Sequence, residues 1–393
     1  MPWKECDITM MREEFVKRAL SGQSTKAALC REYNISRPTG DKWIKRYLSG
    51  EPLSDRSKAP FKTVNKTAAD KEKLILDYRS AHPAIGAVKI LRILQNQGHK
   101  DLPCSSTVNA ILKRNGCISK EASENASRNL SFQRDNPNEM WQSDYKGYIT
   151  LGNNKKCYPL NVLDDCSRFC LCCEAMHGET FAETKTVFTR LFQEYGQPMS
   201  LLCDNGNPWG NAQCVGYTGF EVWLMEHGIL TVHGRARHPQ TQGKQERFNG
   251  SLNRELLKYC ELADFREAQQ QFDRYRNFYN NERPHHALEL EVPAKVYRKS
   301  DRQYNPKVSE WEYPNDFIVR KVKSSGYMTF RNQGYFLSEA IGEKTIALKE
   351  TETDGCYDVY FRQFKIAQID ITERKFKFRR IYLSENDPRF LNR

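Results

Sequence analysis

Residues 140–176 read MWQSDYKGYITLGNNKKCYPLNVLDDCSRFCLCCEAM. Short alternating or continuous apolar runs are interrupted by Gly147 and by Asn153-Asn154, a turn signal. Such patterning predicts three consecutive antiparallel strands. Downstream, GETFAETKTVFTRLFQEYGQP changes period. Phe181, Val187, Phe188, Leu191 and Phe192 recur at helical spacing, and Gly196 before Pro198 ends the helix. MSLLCD then reads as a short strand, residues 216–227 as a helix, GILTVH as a fifth strand, and the chain from about Thr241 as a further helix. The predicted order is three strands, helix, strand, helix, strand, helix: a central α/β domain with a mixed five-stranded sheet over residues 137–298.

Three segments of this region each offer one acid. They are Asp144 in WQSDYKG, Asp204 in LLCDNGNPWGN and Glu246 in HPQTQGKQERFNGSLNREL. Two carboxylates at strand ends and one on a helix can hold a pair of Mg2+ ions, which favour a few carboxylates together with phosphate oxygens. Asp164 and Asp165 sit at a strand end beside a turn and read as structural. Glu255 follows Glu246 on the same helix by two and a half turns and points elsewhere. Gln242, Asn249 and Asn253 share the face of Glu246, and Asn249 and Asn253, with Asn205, are candidate DNA contacts. Lys244 and Arg247 flank it and are expected to touch DNA phosphates, while Asn205 is expected beside the metal site. His238 reads as structural, and Arg283 and His285 as packing and capping residues.

Four local patterns recur here in order: W-Q-x-D (Trp141, Gln142, Asp144), D-N-G (Asp204–Gly206), H-P-x-x-x-G-x-x-E-R-x-N (His238–Asn249), and Y-N-x-x-R-P-H with Leu288 and Pro293 (from Tyr279). Together they make the chain resemble the DDE transposases of bacterial insertion sequences, in the retroviral-integrase superfamily. The resemblance implies a ribonuclease-H-like catalytic core with Asp144, Asp204 and Glu246 as catalytic residues and metal ligands. It also implies two Mg2+ ions per site (Mn2+ substituting), hydrolysis that frees a 3′ end, and attack of that end on target DNA. The interval from Asp204 to Glu246 is longer than usual for the superfamily, and the Gly/Asn-rich loop 205–219 accounts for it. Two DNA ends imply a dimer or tetramer on double-stranded DNA. Two alternatives stand beside this reading: a catalytically silent or domesticated regulator of the same fold, and a transposase served by a separate ATPase. The chain contains no GxxxxGK[ST] loop of its own.

The flanks extend the pattern. Residues 8–20, a segment capped by Ser24 or Thr25, and RPTGDKWIKRYLSG capped by Ser36 predict a helix-turn-helix domain over 1–50. Arg37, Thr39, Lys42 and Lys45 on its last helix are candidate DNA contacts. After a linker at 51–64, helices near 66–80, 86–97 and 105–115 predict a second, winged-helix-like module over 65–120. Ser105 or Ser106 caps its last helix, and Asn109, Lys113 and Arg114 are candidate contacts. Linkers at 121–136 and 299–314 bracket the central domain. Short β-rich runs over 315–371 predict an SH3-like barrel, followed by a basic tail, 372–393.

Bulk properties agree with a DNA-binding protein. Net charge is +12, and the front third, residues 1–133, carries 24 Lys and Arg against 14 Asp and Glu. No apolar run or leader-like start is evident, so a cytoplasmic, nucleoid-associated protein is expected. Thirteen cysteines without a secretory context argue against a disulfide framework. Cys170, Cys172 and Cys173 are expected to be structural, with Cys170 and Cys173 on opposite faces of a strand.

Overall fold

The computed structural model describes residues 8–56, 67–118, 133–210, 216–234 and 243–379. The chain forms two compact units, residues 1–66 and 67–393. The first contains α1 (Ile8–Leu20), α2 (Lys26–Glu32) and α3 (Arg37–Leu48). Thr25 caps α2 by accepting from the Ala28 amide at 3.3 Å, and Ser36 caps α3 by accepting from Thr39 at 3.3 Å. Phe15, Val16, Leu29, Cys30 and Trp43 fill a small core. Gly40 permits it: a Cβ there would lie 2.8 Å from Cys30 Sγ and 2.9 Å from the Phe15 ring.

The second unit begins with α4 (Ala69–Ala81), α5 (Ala87–Asn96) and α6 (Ser105–Arg114), packed around Ile75, Ile90, Ile93, Val108, Ile111 and Leu112. The cap expected from Ser105 or Ser106 is not formed. Both lie inside α6, whose N-cap is Cys104, without a side-chain cap. This module rests on the central domain. His82 stacks between Tyr78 and Phe278, and Arg92 pairs with Glu291.

The central domain holds β1 (Met140–Tyr145), β2 (Ile149–Thr150), β3 (Lys156–Asp164), β4 (Cys170–Met176), α7 (Phe181–Tyr195), β5 (Ser200–Cys203), α8 (Gly219–Glu226), β6 (Leu230–His233), α9 (Gly243–Leu252), α10 (Phe265–Asn281) and α11 (Pro293–Val296). The main sheet runs β4-β3-β1-β5-β6, and the short β2 pairs with the start of β3. β1, β3 and β4 are antiparallel neighbours, whereas β1–β5 and β5–β6 are parallel. α7 and α8 cover one face through Phe188, Phe192, Phe220 and Trp223 packed on Trp141, Leu160 and Val162. α9 and α10 cover the other through Phe248, Leu252, Phe272 and Tyr275.

A β-bulge corrects the expectation for the cysteines. Val162 pairs with Cys172 and Leu163 with Cys170, so Leu171 is the extra residue. Leu171 and Cys172 both face α7, and Cys170 and Cys173 share the α10 side. All three cysteines are buried thiols, as expected for structural residues.

The C-terminal strands are β7 (Ile318–Lys321), β8 (Tyr327–Phe330), β9 (Gln333–Phe336), β10 (Thr345–Glu350), β11 (Cys356–Phe361), β12 (Phe364–Asp370) and β13 (Lys375–Phe378). They do not close into the expected barrel. Among the described residues they form an open antiparallel sheet, β13-β12-β11-β10-β7, and a separate β8–β9 hairpin. Side-chain packing does what hydrogen bonding would do in a barrel. Met328, Phe330 and Tyr335 of the hairpin meet Ile346, Val359, Phe361 and Ile369 of the sheet, and Val222 and Met225 of α8 join the same core. α8 is therefore shared: its other face, through Phe220, Trp223 and Leu224, belongs to the central core.

Candidate active site

β1 and β5 run parallel, with Gln142 opposite Leu202. Continuing that register by two residues sets Asp144 opposite Asp204, at the same end and on the same face of the sheet. Asp204 follows the last residue of β5 and is fixed by its neighbours. Its Oδ1 accepts from the Gly206 amide at 2.9 Å, and its carbonyl oxygen meets His233 Nδ1 at 3.1 Å. His233 Nε2 in turn lies 2.9 Å from Glu221 Oε1, and both side chains are buried. Glu221 also closes a capping box with Thr218 at the start of α8, so α8 and the end of β5 are tied together.

Asp144 is partly buried, and its Oδ2 accepts from Asn249 Nδ2 at 2.9 Å. Its pKa is pushed up to about 7. Burial is the main cause and the Asp204 carboxylate the next; the Asn249 hydrogen bond opposes them, and Glu179 and Glu246 add smaller repulsions. Mutually repelling carboxylates at a strand-end pair are a donor set that suits a hard divalent cation. Among the described residues, no three carboxylate, imidazole or thiol side chains are gathered closely enough to hold a metal ion. The structure thus brings Asp144 and Asp204 together, with Glu246 exposed on the neighbouring helix.

Sequence reading missed Glu179. It lies in the turn after β4, its main-chain carbonyl accepts from Asn207 Nδ2 at 2.6 Å, and burial and Asp204 raise its own pKa. Only the three-dimensional return of that turn to the site reveals it. The loop after Asp204 is partly core, because Trp209 is buried against Tyr145, Phe188 and Phe220.

Helix α9 departs most from expectation. Lys244, read as a phosphate contact, is 6% exposed and pairs with buried Asp165. Burial lowers its pKa to about 8 against the pull of Asp165. Gln245 is also buried, and its Nε2 donates to the Gln142 carbonyl at 2.6 Å and the Asn161 carbonyl at 3.3 Å. Asn249 faces Asp144 rather than outward. Asn205, expected beside a metal, donates to the Gly234 carbonyl at 3.0 Å. Arg247 and Asn253 remain exposed. Gln242 and His238 lie outside the described residues.

The structural readings of the other acids hold. Asp164 Oδ1 accepts from the Asn138 amide, and its Oδ2 from Ser167. Asp165 accepts from the Arg134 amide and from Gln142. Beyond α9 a π-helical turn, Asn253–Leu257, re-phases the helix so that Glu255 meets Arg283 in a bidentate buried pair, 2.8 and 2.7 Å.

The helix-turn-helix candidates divide. Arg37, Lys42 and Lys45 on α3, and Asn109 and Lys113 on α6, are exposed. The Thr39 hydroxyl is engaged with Ser36 at 2.8 Å, and Arg114 with Glu72.

Comparison with known proteins places these parts. An integrase core domain model matches residues 134–239, and a second integrase core domain model matches 227–293. A model of the C-terminal domain of IS481 family transposases matches 317–377, and a helix-turn-helix domain model matches 11–61. An uncharacterized 39.2 kDa protein of insertion element IS476 from Xanthomonas euvesicatoria is 25% identical over 158 residues, 40% of this chain and 44% of that protein. An uncharacterized 31.7 kDa protein of insertion element IS407 from Burkholderia multivorans is 24% identical over 163 residues, 42% of this chain and 56% of that protein. The chain thus spans about half the length of these curated relatives. Among solved structures, the HTLV-2 integrase catalytic core domain in complex with magnesium is 18% identical, covering 41% of this chain and 97% of that one, with a TM-score of 0.33. A simian T-cell lymphotropic virus intasome chain is 13% identical over 80% of this chain and 100% of its own, with a TM-score of 0.35. With integrase-core models matching its centre, a transposase C-terminal model behind them and a helix-turn-helix model in front, the chain is similar to the insertion-sequence transposases of the retroviral-integrase superfamily.

Proposed function

We propose that this protein binds the ends of its own mobile element on double-stranded DNA, cleaves them to free 3′-hydroxyls, and joins those ends to target DNA. The observation that carries this reading is the pair Asp144–Asp204, which the β1–β5 register, continued two residues past Gln142–Leu202, sets side by side; burial first, and then the Asp204 charge, raises the Asp144 pKa. Asp144, Asp204 and Glu246 would hold Mg2+, which when bound supplies charge neutralisation at the scissile phosphate and activation of the attacking oxygen. Asn249 orients the Asp144 carboxylate by donating to one of its oxygens. His233 and Gly206 hold Asp204 at its main chain and side chain. Lys244 and Gln245 seat α9 on the sheet, so that Glu246 looks out from a helix fixed from beneath. Arg37, Lys42 and Lys45 on α3, with Asn109 and Lys113 on α6, supply end recognition. Arg247 and Asn253, both exposed, would meet DNA near the site. The protein acts as a dimer or tetramer, because two ends require at least two such sites.

The test uses the full chain and duplex DNA taken from the sequences flanking its gene. With Mg2+, the parent nicks these duplexes at a defined 3′ position. Asp204→Asn binds them with near-parental affinity and cleaves at least ~10²-fold more slowly, the scale of losing one charge-stabilising group. Parental cleavage by Asp204→Asn would refute the assignment.

A further inference from the structure

Strand β3 carries one amide within an apolar run. Leu160 and Val162 adjoin Asn161 in sequence, Leu163 follows, and Asn161 itself is fully buried. Burying an amide is costly unless its groups are paired. Asn161 lies directly opposite Asp144 in the antiparallel β1–β3 register. Its Nδ2 donates to Asn249 Oδ1 at 2.8 Å, and Asn249 Nδ2 donates to Asp144 Oδ2 at 2.9 Å.

The direction of this chain is fixed by its end. With a cation bound, Asp144 would be ionised, and an ionised carboxylate only accepts. Asn249 must therefore turn its NH2 to Asp144 and its oxygen to Asn161, and Asn161 must donate. The oxygen of Asn161 is buried without a hydrogen-bond partner among the described residues. Its side chain thus serves through its donor alone. The strand beneath is held by Gln245, which donates to the Asn161 carbonyl.

We propose that Asn161 is a positioning residue for the Asp144 carboxylate, acting through Asn249. This rests on the reading of Asp144 as a metal-binding acid. Without the Asn161 donor, the Asn249 amide is free to reverse and present its oxygen to Asp144. The carboxylate then loses both its fixed orientation and the hydrogen bond that favours its charged form.

The experiment is Mn2+ binding to the full-length chain, followed by calorimetry and by the Mn2+ paramagnetic signal. Asn161→Leu keeps the side-chain volume close and removes the donor. It weakens binding about 10–100-fold, the range for residues that orient a metal ligand. Because Asn161 acts in series with Asn249, adding Asn161→Leu to Asn249→Leu causes no further loss. Parental Mn2+ affinity in Asn161→Leu, or an equal loss on the Asn249→Leu background, overturns the proposal. Asp144→Asn is the reference. If it too leaves Mn2+ binding unchanged, the metal reading itself fails and the relay with it. If it abolishes binding while Asn161→Leu does not, only the relay fails. Should thermal melting show Asn161→Leu unfolded, Asn161→Ala, which also lacks a donor, replaces it with the same expectations.

Discussion

Helices α3 and α9 are of similar length, 12 and 10 residues, and both are rich in polar side chains, yet they use them in opposite directions. α3 rests on a small apolar core through Gly40 and Trp43 and leaves Arg37, Lys42 and Lys45 in water. α9 rests partly on a polar patch of sheet formed by Gln142, Asn161 and Asp165, and turns Lys244, Gln245 and Asn249 onto it. Between these two helices, the cations stay in water where the surface beneath the helix is apolar. Where the sheet carries a buried carboxylate, the cation goes inward. Such a buried pair fixes geometry more than it adds stability.

This contrast can be broken most sharply at Lys244. Lys244→Met strands the Asp165 carboxylate in the interior and lowers stability by about 3–5 kcal/mol, measured by urea unfolding of the full chain. If Lys244 instead met DNA, the variant would unfold like the parent and lose affinity. The converse experiment addresses α3. Lys42→Ala with Lys45→Ala leaves unfolding unchanged, weakens binding across DNA sequences to a similar degree, and reduces the slope of log affinity against log salt by about 2. An unchanged slope would mean that these lysines do not face phosphate. A smaller effect sharpens the same point. Ser36→Ala removes the cap that starts α3 and costs about 1 kcal/mol, local to the first module. Hydrogen exchange at the first turn of α3 rises, while protection of α9 does not change.

Much of this organisation was legible in residue order. The alternation around Asp144, the helical period of Phe188 and Phe192 and the caps at Thr25 and Ser36 reflect local physics, and the elements formed where those signals lie. What was not legible depends on partners distant in sequence. The bulge at Leu171 reverses a facing rule that holds only in regular strands. The C-terminal strands pair in an open sheet because the β8–β9 hairpin contributes side chains rather than hydrogen bonds. Lys244 looked solvent-facing because Asp165, 79 residues earlier, gives no local sign of waiting for it. Asn161 did carry a signal, a lone amide between Leu160 and Val162, which pattern reading passes over when it counts strands. At the site itself, Asp144 and Asp204 could be placed from strand ends alone, whereas Glu179 and the Asn161–Asn249 relay required the assembled sheet.

On the proposed reading, Asp144 and Asp204 act together on phosphodiester chemistry. The most direct measurement bypasses end cleavage. Duplexes bearing already exposed 3′-hydroxyl ends are incubated with a target plasmid, Mg2+ and either the parent or Asp204→Asn. Joined products are expected with the parent and none above background with the variant, at equal occupancy of the ends. Joining by Asp204→Asn at the parental rate would contradict it.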